Sequence, residues 1–193
     1  TKYKEWYGYS PYPTVVPKPD PNDPDLVKKL LTSYLCGSMC VARMNLNDLI
    51  HPDYVNRGVR VYKYFNGAFN QPGICGYDTA ILPTPGSYGH VTFNTYLNRF
   101  VMVTQYDQDG VQSIQLFASS IEGKNESALT SWESLGECKI VRPYARYPRL
   151  INSDGESDQV MGKEGWLYYV IKVPGIKGEE KPRMARRSIS FEM

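Results

Sequence analysis

Short stretches that alternate apolar and polar residues come in the same order three times along this chain, and that recurrence narrows its fold more than any other feature. The fullest copy starts at His90. HVTFN and RFVMVTQYD (Arg99–Asp107) flank a polar turn, and DQDG closes the second run. VQSIQLFASS (Val111–Ser120) alternates again, and SALTSWESLGECKIV ends in a less regular outer strand. Period-two alternation bounded by Gly, Asp and Asn signals half-buried antiparallel strands. A second copy opens with RYPRLI (Arg146–Ile151) and crosses the polar connection INSDGESDQVMGKEG. It continues through WLYYVIKV (Trp166–Val173) and ends with RMARRSISFEM (Arg183–Met193).

The N-terminal third repeats the order without its first strand. YKEWYGYSPYP (Tyr3–Pro13), SYLCGSMCVARMNL (Ser33–Leu46) and GVRVYKYFNGAF (Gly58–Phe69) take the second, third and fourth positions. Residues 14–32 are an insertion between the first two. Its Pro- and Asp-rich half is read as loop, and its tail as a short helix with Asp23 as N-cap and Pro24 in the first turn. Strands are expected near residues 3–10, 36–44, 59–65, 90–94, 99–106, 112–119, 166–173 and 186–191. Two and a half copies of a four-stranded unit describe β-propeller blades. A β-sandwich, which also strings short strands together, is the alternative.

Charge is nearly balanced, with 22 basic and 20 acidic residues, so nothing in composition points to nucleic acid or an anionic membrane. No run of 18 apolar residues spans a bilayer. The 16 tyrosines favour strands and suit ligand contact. Cys36 and Cys40, if on one strand, lie ~13 Å apart, too far for a mutual disulfide. With Cys75 and Cys138 they are read as buried free thiols. Two histidines, His51 and His90, and no Cys/His cluster at zinc spacing give no structural metal site. The start at Thr1 is read as that of a processed chain or a fragment.

SMCVARMNLNDL, VYKYFNGAFNQPGICGYDTAI, HVTFNTYLNRFVMV, IQLFASSIEG and GWLYYVIKV together resemble the C-terminal half of the five-bladed β-propeller glycoside hydrolases, the family 43-like group. The resemblance covers most of residues 33–193 and rests on motifs that shape blades. Val91 stands where the family has proline, and IEGKNES replaces a DGxxW turn. The resemblance implies an all-β propeller of which residues 1–193 supply two and a half to three blades, as one domain or the C-terminal part of one. The remainder would come from the same parent chain or a partner chain, so these residues are not expected to form an independent active monomer. It further implies hydrolysis of glycosidic bonds in an oligo- or polysaccharide by paired carboxylates, and Ca2+ at the propeller axis. An extracellular or periplasmic location goes with it. The family's catalytic acids sit on its first three blades, so at least two of them would precede Thr1.

Glycoside hydrolysis uses two carboxyl groups across the scissile bond. Asp78, Glu156 and Asp158 are the candidates here, each with a solvated loop carboxylate as the alternative. His90 opens an inner strand, and alternation puts it on one face with Thr92 and Asn94. In a propeller that face looks onto the water-filled axis, where His90 would meet a metal or a sugar hydroxyl. The alternative is a histidine hydrogen-bonded in the core. RPYARYPR (Arg142–Arg149) offers Tyr147 as a flat face for a sugar ring and Arg149 as a fork for hydroxyls or a carboxylate. An exposed linker is the alternative. Tyr88, His90, Tyr147 and Arg149 are therefore expected to converge at one concavity as substrate contacts. Lys181, Arg183, Arg186 and Arg187 read as the solvated face of the last strand, and Asn125–Ser127 forms a glycosylation sequon. A non-catalytic glycan-binding module is the competing function, and a nucleic-acid or protein scaffold is a third.

Overall fold

A computed structural model of the chain describes residues 39–44, 60–73, 76–82, 87–108, 111–139, 145–174 and 179–192. The strand expected at residues 3–10, the 14–32 insertion, Cys36, His51, Cys75 and Arg142 lie outside the described residues. Within them the chain is all-β: eleven strands, one 3-10 turn at Ser127–Leu129 and no α-helix. No helix of the described residues is long and apolar enough to cross a membrane. Two compact units divide the chain, Thr1–Ile81 and Leu82–Met193.

In the first unit, β1 (Ala42–Met44), β2 (Val61–Phe65) and β3 (Ala68–Pro72) form an antiparallel sheet in that order. The Gly58–Phe69 stretch, read from sequence as one strand, is a hairpin. Asn66 and Gly67 turn it, both with positive φ (46° and 92°), as a two-residue loop matched to strand twist requires. Lys63 Nζ donates to the Gly76 carbonyl at 2.9 Å and pairs with Asp78 at 3.5 Å.

The second unit carries two sheets. β4 (Ser87–Asn94), β5 (Arg99–Gln108), β6 (Val111–Ser119) and β7 (Trp132–Lys139) form an up-and-down antiparallel meander. β8 (Ala145–Asn152), β10 (Glu164–Pro174) and β11 (Glu180–Ser190) form the other sheet, ordered β11-β10-β8. Both follow the strand order legible in the sequence. The polar connection between β8 and β10 differs from its reading, because Val160–Met161 within it forms β9, parallel to the outer edge of β4.

Alternation builds the core between the sheets. Along β10, Gly165, Leu167 and Tyr169 are buried while Trp166, Tyr168 and Val170 between them are half-buried. Leu167 joins Val101 and Val103 of β5, Ile114 of β6, Ala145 and Leu150 of β8, Met161 and Phe191 in one cluster. Full burial of each large aliphatic side chain stabilises by about 1.5–3 kcal/mol, so Leu167→Ala would cost about 2–5 kcal/mol. The opposite face of the meander is also buried at Met102 and Phe117, which face each other across β5 and β6. Cys40 is exposed and Cys138 half-buried, neither in a disulfide, so neither is the buried thiol expected.

Candidate functional site

Two bulges shape the site, one on each sheet of the second unit. On β4, Ser87 pairs with Gln105 and His90 with Val103, so Tyr88 and Gly89 together oppose Thr104. On β8, Arg149 pairs with Tyr168 and Arg146 with Val170, so Tyr147 and Pro148 together oppose Tyr169. Two residues against one is the bulge pattern, which re-aims side chains. In both cases the bulge puts a tyrosine in the left-handed region, Tyr88 at φ 51° and Tyr147 at φ 56°, where bulky L-residues are rare and strained. The two rings meet edge to face, centroids 4.8 Å apart at 68°. Both remain open to solvent, at 37% for Tyr88 and 52% for Tyr147.

His90 lies two residues beyond Tyr88 on β4 and reaches across to β8. β8 is the edge strand of its sheet, and the Leu150 N–H on its open side donates to His90 Nδ1 at 3.2 Å. An accepting Nδ1 leaves the proton of the neutral ring on Nε2. That nitrogen faces Asp158 Oδ2 at 3.8 Å, too long for a hydrogen bond. The same oxygen takes an ion pair from Arg149 Nη2 at 2.9 Å. Burial lowers the pKa of His90, the Arg149 charge lowers it further, and Asp158 opposes both. The balance of these influences favours the neutral ring.

Asp158 is placed by a strap, residues 153–163, that leaves β8 and clips onto β4. Asn152 donates its N–H to the Ser157 carbonyl at 2.7 Å, and its side-chain Oδ1 accepts from Gly162 N–H at 3.1 Å. Phe93 and Thr95 donate to the carbonyls of Gln159 and Met161 at 2.9 and 2.8 Å. Asn94 is fully buried; its Nδ2 donates to the Gly162 carbonyl, and its Oδ1 accepts from Tyr96 and Leu97 N–H. Asn94 therefore anchors the strap instead of lining the water-filled axis expected from strand alternation. Thr92 is buried and its hydroxyl has no partner among the described residues.

The structure brings Tyr88, His90, Tyr147, Arg149 and Asp158 together. Glu156, two residues from Asp158, is exposed, and its backbone N–H is held by Asp154 Oδ1 at 2.8 Å. Among the described residues it makes no ion pair. Asp78 belongs to the first unit, on Lys63. Calcium does not fit the cluster: it takes 6–8 oxygen ligands, whereas Asp158 is already committed to a guanidinium. Among the described residues no three His, Cys, Asp or Glu side chains gather for a metal. Asn125 of the sequon uses its side chain locally, donating to the Glu122 carbonyl and accepting from Ala128 N–H.

The strap and the left-handed tyrosines were not read from the sequence. Signals for the bulges were present, since Pro148 inside a strand pattern and Gly89 beside His90 are residues that mark bulges. Searches against protein-family models, curated proteins and solved structures find no match to this chain.

Proposed function

We propose that the Tyr88–Tyr147 pair and the His90–Asp158–Arg149 cluster next along the same strands form a carbohydrate-binding site. The fold proposed with it is a five-bladed propeller, with β4–β7 and β8, β10 and β11 as successive blades. The strand orders support that arrangement, as does the His90 bridge between β4 and β8, the first strand of each sheet. The observation that carries the functional reading is the strained, solvent-facing tyrosine pair. Holding two aromatic rings in the left-handed region costs stability, and such strain gathers at ligand sites. Tyrosine offers a flat apolar face with a polar rim. Arg149 and Asp158 supply paired donors and acceptors for hydroxyls, and the imidazole Nε2–H supplies another donor.

Binding is favoured over hydrolysis because the charged partner of Asp158 is the Arg149 guanidinium and not a second carboxyl group. A glycosidase needs a second carboxyl group ~5–10 Å across the scissile bond. In the hydrolase reading that group comes from elsewhere in a parent or partner chain, in an extracellular or periplasmic setting.

The test is calorimetric titration of the whole chain with xylose, arabinose and glucose and their linear hexasaccharides, with product analysis run alongside. At least one sugar should bind, and Tyr147→Ala should remove that binding without unfolding the protein. Binding to none, or binding indifferent to both Tyr147→Ala and Tyr88→Ala, overturns the reading. Cleavage products would move the assignment from binding module to hydrolase.

A further inference from the structure

On the outer face of the second sheet, at the end where β10 begins, lies a shallow cavity of about 390 Å³. Ser153, Glu164, Gly165, Trp166, Ser188, Ile189 and Ser190 line it. Its volume falls in the range of small-ligand pockets, which combine an aromatic wall with a few convergent polar groups. Strand register explains the composition. Glu164 stands opposite Ser190, and Trp166 opposite Ser188, on neighbouring strands, so these side chains share one face at contact distance.

The tryptophan is held in place before any ligand arrives. Its Nε1–H donates to the Ser153 carbonyl at 3.3 Å, and the Arg186 guanidinium lies 4.4 Å from its ring centroid. Arg186 in turn reaches the Tyr168 hydroxyl at 3.5 Å. Gly165 also lines the cavity, and it has no room for a side chain toward the core: a Cβ there would meet the Ile151 carbonyl oxygen and Met161 Cε at 2.7 Å. Among the described residues the Glu164 carboxylate has no ion-pair partner and stands exposed beside the three serine hydroxyls. An indole wall with serine hydroxyls and a carboxylate acceptor suits a neutral polyhydroxy ring, which donates hydrogen bonds to the carboxylate and exchanges them with the hydroxyls. A carboxylate repels an anionic sugar.

We infer that this cavity is a second sugar-binding subsite, for a neutral pyranose or furanose unit of the ligand whose other unit sits at Tyr88 and Tyr147; the inference rests on the carbohydrate reading of that first site. The path between them runs along β8. Arg149, which pairs with Asp158, and Ser153, in the turn that follows β8 and lining the cavity, are four residues apart, up to ~13 Å along the chain. An oligosaccharide bridges that distance and a monosaccharide does not. The ligand is therefore a linear neutral oligo- or polysaccharide.

The experiment compares the sugar that binds in the titration above as its monosaccharide and its hexasaccharide. Trp166→Ala removes the wall, and Ser188→Tyr fills the cavity from an exposed position while keeping Trp166. Circular dichroism melts confirm that each variant is folded. Linking two subsites adds affinity by raising the effective concentration at the second. Both variants should then weaken hexasaccharide binding by about 100-fold or more and leave monosaccharide binding at the tyrosine site unchanged. Equal hexasaccharide affinity in wild type and in a folded Ser188→Tyr variant overturns the second subsite and leaves the first intact. Loss of monosaccharide binding in both variants also overturns it, because the cavity would then be part of a single site. If wild type binds neither sugar, the carbohydrate reading itself fails.

Discussion

Tyr88 and Tyr147 come from different sheets, 59 positions apart in the chain, yet share one backbone anomaly and one contact: both have positive φ, and their rings meet edge to face at 4.8 Å. Each sits on a bulge where two residues oppose one. That shared conformation gives a test independent of any ligand.

In an ordinary strand glycine is worse than alanine by roughly 0.5–1 kcal/mol. In the left-handed region the order reverses, since an L-residue there costs roughly 1–2 kcal/mol. We predict that Tyr147→Gly is more stable than Tyr147→Ala by about 1 kcal/mol, with the same order at position 88. Urea denaturation of the four variants decides it. Alanine more stable than glycine at both positions would mean that neither tyrosine is held in the left-handed region.

Because burial and Arg149 lower the pKa of His90, the unfolded chain takes up its proton first as pH falls. Above 6.5, the ordinary value, both states are neutral there and His90 contributes no slope. Below it, stability is lost progressively until the folded-state pKa is reached. Protonating Nδ1 also removes the acceptor of the Leu150 N–H. His90→Asn keeps an acceptor near that position and does not titrate. The urea midpoint of wild type, relative to that of this variant, should therefore drop between pH 7 and pH 5. Parallel curves would show that His90 is not the sensitive group.

The cluster's electrostatics can be read at the imidazole itself. Burial is the largest influence and stays in both charge variants. Arg149→Gln removes a lowering charge and should raise the His90 pKa; Asp158→Asn removes a raising one and should lower it further. Imidazole proton shifts followed against pH distinguish the two directions, and equal shifts in both variants would place the charges elsewhere. Stability should change by under ~1 kcal/mol in each, as for other exposed ion pairs.

Asn94→Ala should be the costliest single change in the strap. It deletes the bond to the Gly162 carbonyl and leaves the Tyr96 and Leu97 N–H groups without their acceptor. Together these are worth about 3 kcal/mol. Thr95→Val, which loses one bond from an exposed residue to the Met161 carbonyl, should cost under ~1 kcal/mol. Comparable losses would show that Asn94 is not the anchor.

The strand order of the second unit was legible because its central strands carry runs of apolar and β-branched residues bounded by polar turn residues. RFVMVTQYD, VQSIQLFASS and WLYYVIKV all lie within strands β5, β6 and β10 or run one residue past them. The hairpin at Asn66–Gly67 was missed, although Asn-Gly is a turn signal, because the whole Gly58–Phe69 stretch reads as one strand. β9 was not legible, since two residues carry no period and their partner β4 lies 67 positions away. The site residues Tyr88, His90, Tyr147 and Arg149 stood out by type and by their position at strand starts. What made them a cluster did not: a backbone N–H at an open sheet edge and a carboxylate on a strap are contacts between distant segments, and local pattern has no access to those.

The strap also bears on the order of events in folding. Its bonds join residues 66 and 68 positions apart, and the Leu150–His90 bond spans 60, whereas the meander and the β10–β11 ribbon pair neighbours along the chain. Closing long loops is entropically costly before it is rewarded. The hairpins should therefore be formed in the transition state and the strap should dock after it. Asn94→Ala would then speed unfolding and leave the refolding rate nearly unchanged. A sugar bound at Asp158 would lengthen the lifetime of the native protein in the same way, acting as a latch on the last step to close and the first to open.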